Sequence, residues 1–109
     1  MERDPAYLED ILEAAKLAIS FVDGMDRSEF LADRKTQAAV IREIEIIGEA
    51  SNMLSVDFRV MHPEVPWREA ISMRNRVIHG YQSIDLDLVW DTIQIDMPTL
   101  IEAIESLIQ

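Results

Sequence analysis

Apolar residues recur at Leu8, Ile11, Leu12, Ala15, Ile19 and Val22, the three- and four-residue spacing of a helix with one buried face. Asp4 ahead of Pro5 predicts the start of that helix, a capping carboxylate followed by proline at the first helical position. Asp23-Gly24 predicts its end. Ser28, with Phe30 and Leu31 behind it, predicts a short second helix. The longest periodic stretch runs from about Arg34 to Leu54. In it Val40, Ile44, Ile47, Ser51 and Leu54 form one stripe, which Ile41 and Met53 widen, while Arg42, Glu45, Glu49 and Asn52 take another face. Gly48 in the middle of this helix costs about 1 kcal/mol against alanine, and close approach of another helix is the usual reason to keep it.

Two prolines in His62-Pro63-Glu64-Val65-Pro66-Trp67 break the helical pattern and set a rigid turn. A helix opening near Trp67 should run to about Gly80, and Ser83-Ile84-Asp85 predicts the next cap. Leu86, Val89, Trp90 and Ile93 then follow at helical spacing, and Pro98 marks a kink or a new helix reaching Leu107. There is no internal repeat and no low-complexity segment. The pattern predicts an all-α bundle of four to five helices forming a single domain over residues 1–109.

Composition narrows the setting. Hydrophobic residues make up 49% of the chain, too many for a disordered sequence. No apolar run is long enough to span a bilayer, and no signal peptide is evident, so no membrane association is expected. The absence of cysteine removes disulfides and thiolate metal sites and fits a reducing, cytoplasmic location.

Charge makes the picture uneven. The net charge is −11, which at first argues against nucleic acid. Yet Trp67 to Tyr81 holds three arginines (Arg68, Arg74 and Arg76) against Glu69 alone, a net of +2 that leaves −13 on the other 94 residues. Gln82 to Gln109 carries six acids and no base. An acidic body with one basic window can bind an anion locally, or offer its acidic surface to a basic partner.

The basic window also concentrates chemistry: Arg74, Asn75, Arg76, His79 and Tyr81 fall within eight residues. Cleaving a phosphodiester requires proton transfer at the attacking and leaving oxygens and neutralisation of the charge between them. Histidine can serve either proton step near neutral pH. Arginine presents a planar fork that matches two phosphate oxygens, and Asn75 adds a neutral donor. RNA brings its own nucleophile in the 2′-hydroxyl, so such a site needs no metal or other cofactor. His62 and His79 are seventeen residues apart and show no short-range metal-ligand pattern.

On a continuous helix Asn75 and His79 share a face, while Arg74 and His79 lie about 140° apart. That separation leaves three routes to a joint site: a wrapped arginine, a distorted helix near Gly80, or a second copy of the chain completing the site across a two-fold axis. Each side chain also has a purely structural explanation. Arg74 and Arg76 can pair with the many acids, His79 can sit favourably at a helix C-terminus, and Tyr81 can be a core-edge residue. His62, Trp67 and Trp90 read as turn and core residues, and the six methionines as core filler. Glu45 and Glu49 read as a solvated or ion-paired face, or one of them orients Arg74.

Arg74-Asn75-Arg76-Val77-Ile78-His79-Gly80-Tyr81 resembles the Arg-x4-His-x-Tyr motif of the HEPN superfamily, in particular its HepT-like toxins. Arg42 to Ser51, Val65 to Trp67 and Tyr81 to Asp85 resemble the same family in the same order, so the likeness covers most of the chain. The resemblance implies a HEPN helical bundle, usually a homodimer or a higher even oligomer with its motifs facing across a cleft. It implies a metal-independent ribonuclease, the toxin of a toxin–antitoxin pair, whose antitoxin is a minimal nucleotidyltransferase that transfers AMP onto the motif tyrosine. By position, Arg74 and His79 become the catalytic pair, Asn75 and Arg76 auxiliary residues, and Tyr81 the AMP acceptor. Two rival expectations remain: a non-catalytic HEPN module that binds nucleotide or docks a nucleotidyltransferase, and a plain helical interaction domain.

Overall fold

A computed structural model describes residues 3–78 and 83–108. Helix α1 spans Asp4–Phe21, α2 Arg27–Leu31, α3 Arg34–Met53, α4 Val56–Met61, α5 Trp67–Val77 and α6 Leu86–Asp91. A π-helical stretch, Thr92–Asp96, joins α6 to α7, Met97–Ile108. The described residues contain no strand; one isolated antiparallel bridge pairs Ile78 with Ile84. The architecture is the expected all-α bundle, built from α1, α3, α5 and the continuous run from Leu86 to Ile108, with α2 and α4 as short connectors.

Side-chain caps set most of the helix starts. Asp26 and Glu29 form a reciprocal capping box at α2, with Glu29 N–H donating to Asp26 Oδ1 at 2.8 Å and Asp26 N–H to Glu29 Oε1 at 3.0 Å. The second helix is therefore capped by Asp26, two residues before Ser28. Asp33 caps α3 by accepting from Thr36 N–H at 3.0 Å, and Asp85 caps α6 by accepting from Leu88 N–H at 3.0 Å.

Asp4 does something other than cap its own helix. It is the first residue of α1, Arg3 holds the cap position, and no side-chain hydrogen bond closes that end. The buried Asp4 carboxylate instead accepts from Ser55 N–H at 2.9 Å and Ser55 Oγ–H at 2.8 Å. Ser55 Oγ in turn accepts from Phe58 N–H at 3.1 Å and caps α4. One carboxylate thus ties the start of α1 to the α3–α4 junction, 51 residues away in sequence.

The core forms where the predicted stripes meet. Val40, Ile44, Ile47, Ser51 and Leu54 are all buried on α3 and its C-terminal end, against Ile11, Ala14, Ala15 and Ala18 of α1 and Ala70, Met73 and Val77 of α5. Ile41 is only half-buried and Met53 is mostly exposed, so the α3 stripe is narrower than its hydrophobicity suggested. Phe30 anchors α2, with its ring centroid 5.5 Å from that of Trp90, and Gln37 Nε2 donates to the Phe30 and Leu31 carbonyls at 3.0 and 3.1 Å. Trp67 is buried at the head of α5, its indole N–H donating to the His62 carbonyl at 2.9 Å.

Pro98 stands at the second residue of α7, the new helix its position suggested, which follows the π-helical stretch without a break. A proline inside a helix removes one N–H and crowds the carbonyl four residues back. Here the preceding turn widens instead: Met97 N–H donates to the Thr92 carbonyl, five residues earlier, and the helix runs on. Val89, Ile93, Met97, Leu100 and Ile104 keep one buried stripe through the insertion.

Gly48 has the role its position suggested. A Cβ built there would lie 3.2 Å from the Ile71 carbonyl oxygen and 3.6 Å from that of Ala70, so α3 and α5 meet backbone to backbone. In Gly48→Ala, a helix gain of about 1 kcal/mol opposes an overpacking cost of roughly 1–3 kcal/mol. Urea unfolding should find the alanine variant between neutral and about 2 kcal/mol less stable, and Gly48→Val clearly worse. A valine variant as stable as the parent would show that the helices do not need this contact.

The hydrogen bonds from the Ser55 backbone and side chain hold the Asp4 carboxyl below its ordinary 3.8. A depressed carboxyl contributes stability at neutral pH that is lost as pH falls through the lowered value. Asp4→Ala should cost about 1–3 kcal/mol at pH 7, the range for stranding buried partners. The gap between variant and parent in denaturant midpoint should shrink on acidification below pH about 4. A gap independent of pH would separate the stabilisation from the carboxylate charge.

Candidate active site

The Gly48 contact fixes how α5 lies on α3. With Gly48 opposite Ala70 and Ile71, three residues back along α3 and three to four forward along α5 bring Glu45 opposite Arg74. The Glu45 carboxylate lies 3.7 Å from Arg74 Nε, and Arg74 Nη1 donates to Asn75 Oδ1 at 3.4 Å. Of the two roles open to Glu45, pairing with Arg74 is the one seen. Both partners are close to half exposed, so the pair is worth roughly 0–1 kcal/mol. A phosphate can displace Glu45 from Arg74 at small cost.

Arg76 faces elsewhere. It is 200° round the helix from Arg74, with Nη2 3.4 Å from the Glu69 carbonyl and 3.7 Å from Asp96 Oδ2 in the π-helical stretch. Its buried Nε has no partner among the described residues. Arg76 thus ties α5 to the C-terminal helix and does not join Arg74 and Asn75.

Helix α5 ends at Val77, short of the stop expected near Gly80. Ile78 is extended (φ −108°, ψ 110°), and Asp85 N–H donates to the Val77 carbonyl at 2.7 Å, next to the Ile78–Ile84 bridge. The backbone at Val77–Ile78 is thus paired with that at Ile84–Asp85. Helix α5 therefore does not continue past Ile78, the condition on which the separation of about 140° between Arg74 and His79 depended. His79 and Tyr81 lie outside the described residues. The described part of the site is therefore Arg74 and Asn75 at the end of α5, with Glu45 behind them.

The other titratable residues take no part in this arrangement. Burial pushes the Glu43 carboxyl up, but Glu43 is two residues from Glu45 and so on the far side of α3. His62 sits in the turn before α5, with Nδ1 3.4 Å from Glu64 and its ring centroid 4.5 Å from that of Phe58. Among the described residues no three His, Cys, Asp or Glu side chains converge as a metal site would require. No helix among them is long and apolar enough to cross a membrane. Sequence reasoning did not find α4, whose residues line a groove with α5; its six residues give too short a pattern to register.

Known proteins are similar to this chain over most of its length. The chain is 48% identical over 101 residues to the "Probable ribonuclease HepT" of Thermococcus cleftensis, covering 93% of this chain and 92% of the relative. It is 43% identical over 104 residues to a "Putative RNase" of Methanocaldococcus jannaschii, covering 95% and 86% respectively. A "Putative RNase" of Caldanaerobacter subterraneus is 35% identical over 109 residues, all of this chain and 97% of the relative. No solved structure matches significantly. The family model described as ribonuclease HepT-like matches residues 11–107, nearly the whole bundle and all of the Arg74–Tyr81 motif, and the chain belongs to that family.

Proposed function

We propose that this protein is a ribonuclease that cleaves RNA without a metal and acts as the toxin of a toxin–antitoxin pair. The observation that carries the reading is Arg74, held at the end of α5 beside Asn75, half-exposed and paired only weakly with Glu45, in a family whose relatives bear ribonuclease names. In the reaction, the 2′-hydroxyl of RNA attacks the adjacent phosphorus and the bond to the 5′-oxygen of the next nucleotide breaks. His79 handles a proton at one of these oxygens, and Arg74 neutralises the charge that builds on the non-bridging oxygens. Asn75 adds a neutral donor. Arg76, turned towards Asp96, acts on the scaffold rather than on phosphate. The family resemblance adds a homodimer to this reading, and the docking module is its rival.

His79→Ala and Arg74→Ala should each lower RNA cleavage by at least about 10²-fold while the circular dichroism of the bundle stays unchanged. Cleavage should survive EDTA. Undiminished cleavage by His79→Ala would remove the central claim, and loss with EDTA reversed by added metal would replace the mechanism.

The partner in this proposal is a minimal nucleotidyltransferase that modifies Tyr81. The phenolic oxygen attacks the α-phosphorus of ATP, a new O–P bond forms, pyrophosphate leaves, and the phenolic proton passes to a base of the partner enzyme. A tyrosine hydroxyl, with an ordinary pKa of about 10, needs that base. The added phosphodiester brings a negative charge and a nucleoside two residues from His79, repelling the RNA backbone. Co-expression with the partner enzyme should add AMP units to Tyr81, read by intact-protein mass spectrometry, and the modified protein should cleave RNA more slowly. Tyr81→Phe should escape modification. Modification elsewhere, or a modified protein that cleaves as fast as before, would discard this regulation.

A further inference from the structure

Every basic side chain after Arg42 (Arg59, Arg68, Arg74 and Arg76) lies on α4 or α5. Two of them, Arg59 and Arg68, line an open groove of about 480 Å³ between these helices, together with Val56, Val60, Ile71 and Ser72. The groove has no acidic residue in its lining, and neither arginine has an ion pair among the described residues. Arg59 Nε is buried there with no acceptor among them, a donor of the kind that folded proteins normally satisfy. Val56 and Val60 are 65% and 71% exposed, and no residue of α4 is buried.

The groove leads to the candidate active site. Arg68, Ile71, Ser72 and Asn75 follow at the spacing of one helical face, so the α5 wall runs about 10 Å from Arg68 to the Arg74–Asn75 pair. We infer that the α4–α5 groove is a substrate subsite that holds the single-stranded RNA next to the scissile phosphate. Arg59 and Arg68 take backbone phosphates, and the apolar floor of Val56, Val60 and Ile71 takes a base or ribose. This inference rests on the ribonuclease reading of the site and extends it to substrate binding.

An exposed apolar groove is also what a protein contact uses. Charge decides between the two. A second copy packed groove to groove about a two-fold axis would bring two pairs of arginines together, with no acid in the lining to separate them. A polyanion meets both arginines with the opposite sign.

The test measures binding of a short single-stranded RNA to the His79→Ala protein across a salt series, alone and with Arg59→Ala, Arg68→Ala and both. Affinity should fall with each arginine removed, and the slope of log K against log salt should flatten by about 0.7 per arginine. Arg→Lys variants should keep the slope. With His79 intact, the same variants should raise KM for RNA and leave kcat unchanged, the mark of lost uniform binding. Val60→Asp should weaken RNA binding without altering the oligomeric state read by light scattering. An unchanged salt slope in the double variant, or no RNA binding by the parent, would overturn the subsite. Dissociation of the oligomer by Val60→Asp, with RNA affinity indifferent to both arginines, would make the groove a protein contact instead. If wild-type protein cleaved no RNA, the ribonuclease reading would fall, while the salt slope would still decide the groove.

Discussion

The backbone contact at Gly48 sets the geometry on which the candidate site depends. Two helices carrying ordinary side chains at their crossing stay 8–10 Å apart. With hydrogen in place of a side chain at Gly48, α3 comes against the carbonyls of Ala70 and Ile71. The closeness also fixes register, since a small side-chain gap tolerates sliding and a backbone contact does not. Register is what carries Glu45 to Arg74. A cost in helix propensity on α3 thus becomes a positioning device for an arginine on α5.

Around that contact the bundle is closed by polar ties between segments far apart in sequence. Asp4 holds Ser55, Arg27 holds Asp87 at 2.9 Å and Asp91 at 2.6 Å, Lys16 holds Glu105 at 3.0 Å, and Arg76 reaches Asp96. Three of these four are exposed pairs, which contribute little stability individually. Asp4 differs because it is buried and accepts two hydrogen bonds from Ser55, so removing it takes the acceptor from a part-buried N–H and hydroxyl. Outside α4 and α5 the pairs consume the few basic side chains that face acids across the bundle. Arg59 and Arg68 line the α4–α5 groove without an ion pair among the described residues. In a chain of net charge −11, that leaves a local positive field where the overall field is negative.

The C-terminal helix shows how the same fold absorbs a local conflict. Pro98 sits inside a 23-residue helical run that must keep Val89, Ile93, Met97, Leu100 and Ile104 on one buried face. Widening one turn to the π geometry accommodates the ring and shifts the phase of the residues that follow. Ile93, Met97, Leu100 and Ile104 follow at spacings of four, three and four and all stay buried, with the π-helical stretch ending just before Met97. The same stretch carries Asp96, the carboxylate that Arg76 meets at 3.7 Å.

What the sequence determined by itself was whatever depends on neighbours along the chain. Periodicity showed α1, α3, α5 and the C-terminal helices, Asp85 declared its cap, and Gly48 announced a close approach, because helix burial and capping are read within a few residues. The family was evident in the order of its motifs, and Arg74 and Asn75 were evident as the polar residues of one of them. The tertiary structure decided what depends on residues distant in sequence. Asp4 left its own helix end for Ser55, because burial at the α3–α4 junction rewards a carboxylate with two donors. Helix α5 stopped at Val77, because Asp85 N–H and the Ile78–Ile84 bridge offered the backbone partners that helix continuation would have supplied. Arg74 and Arg76, two residues apart and alike in sequence, were sent to Glu45 and Asp96, because a helix turns neighbouring residues towards different faces and only packing says what each face meets.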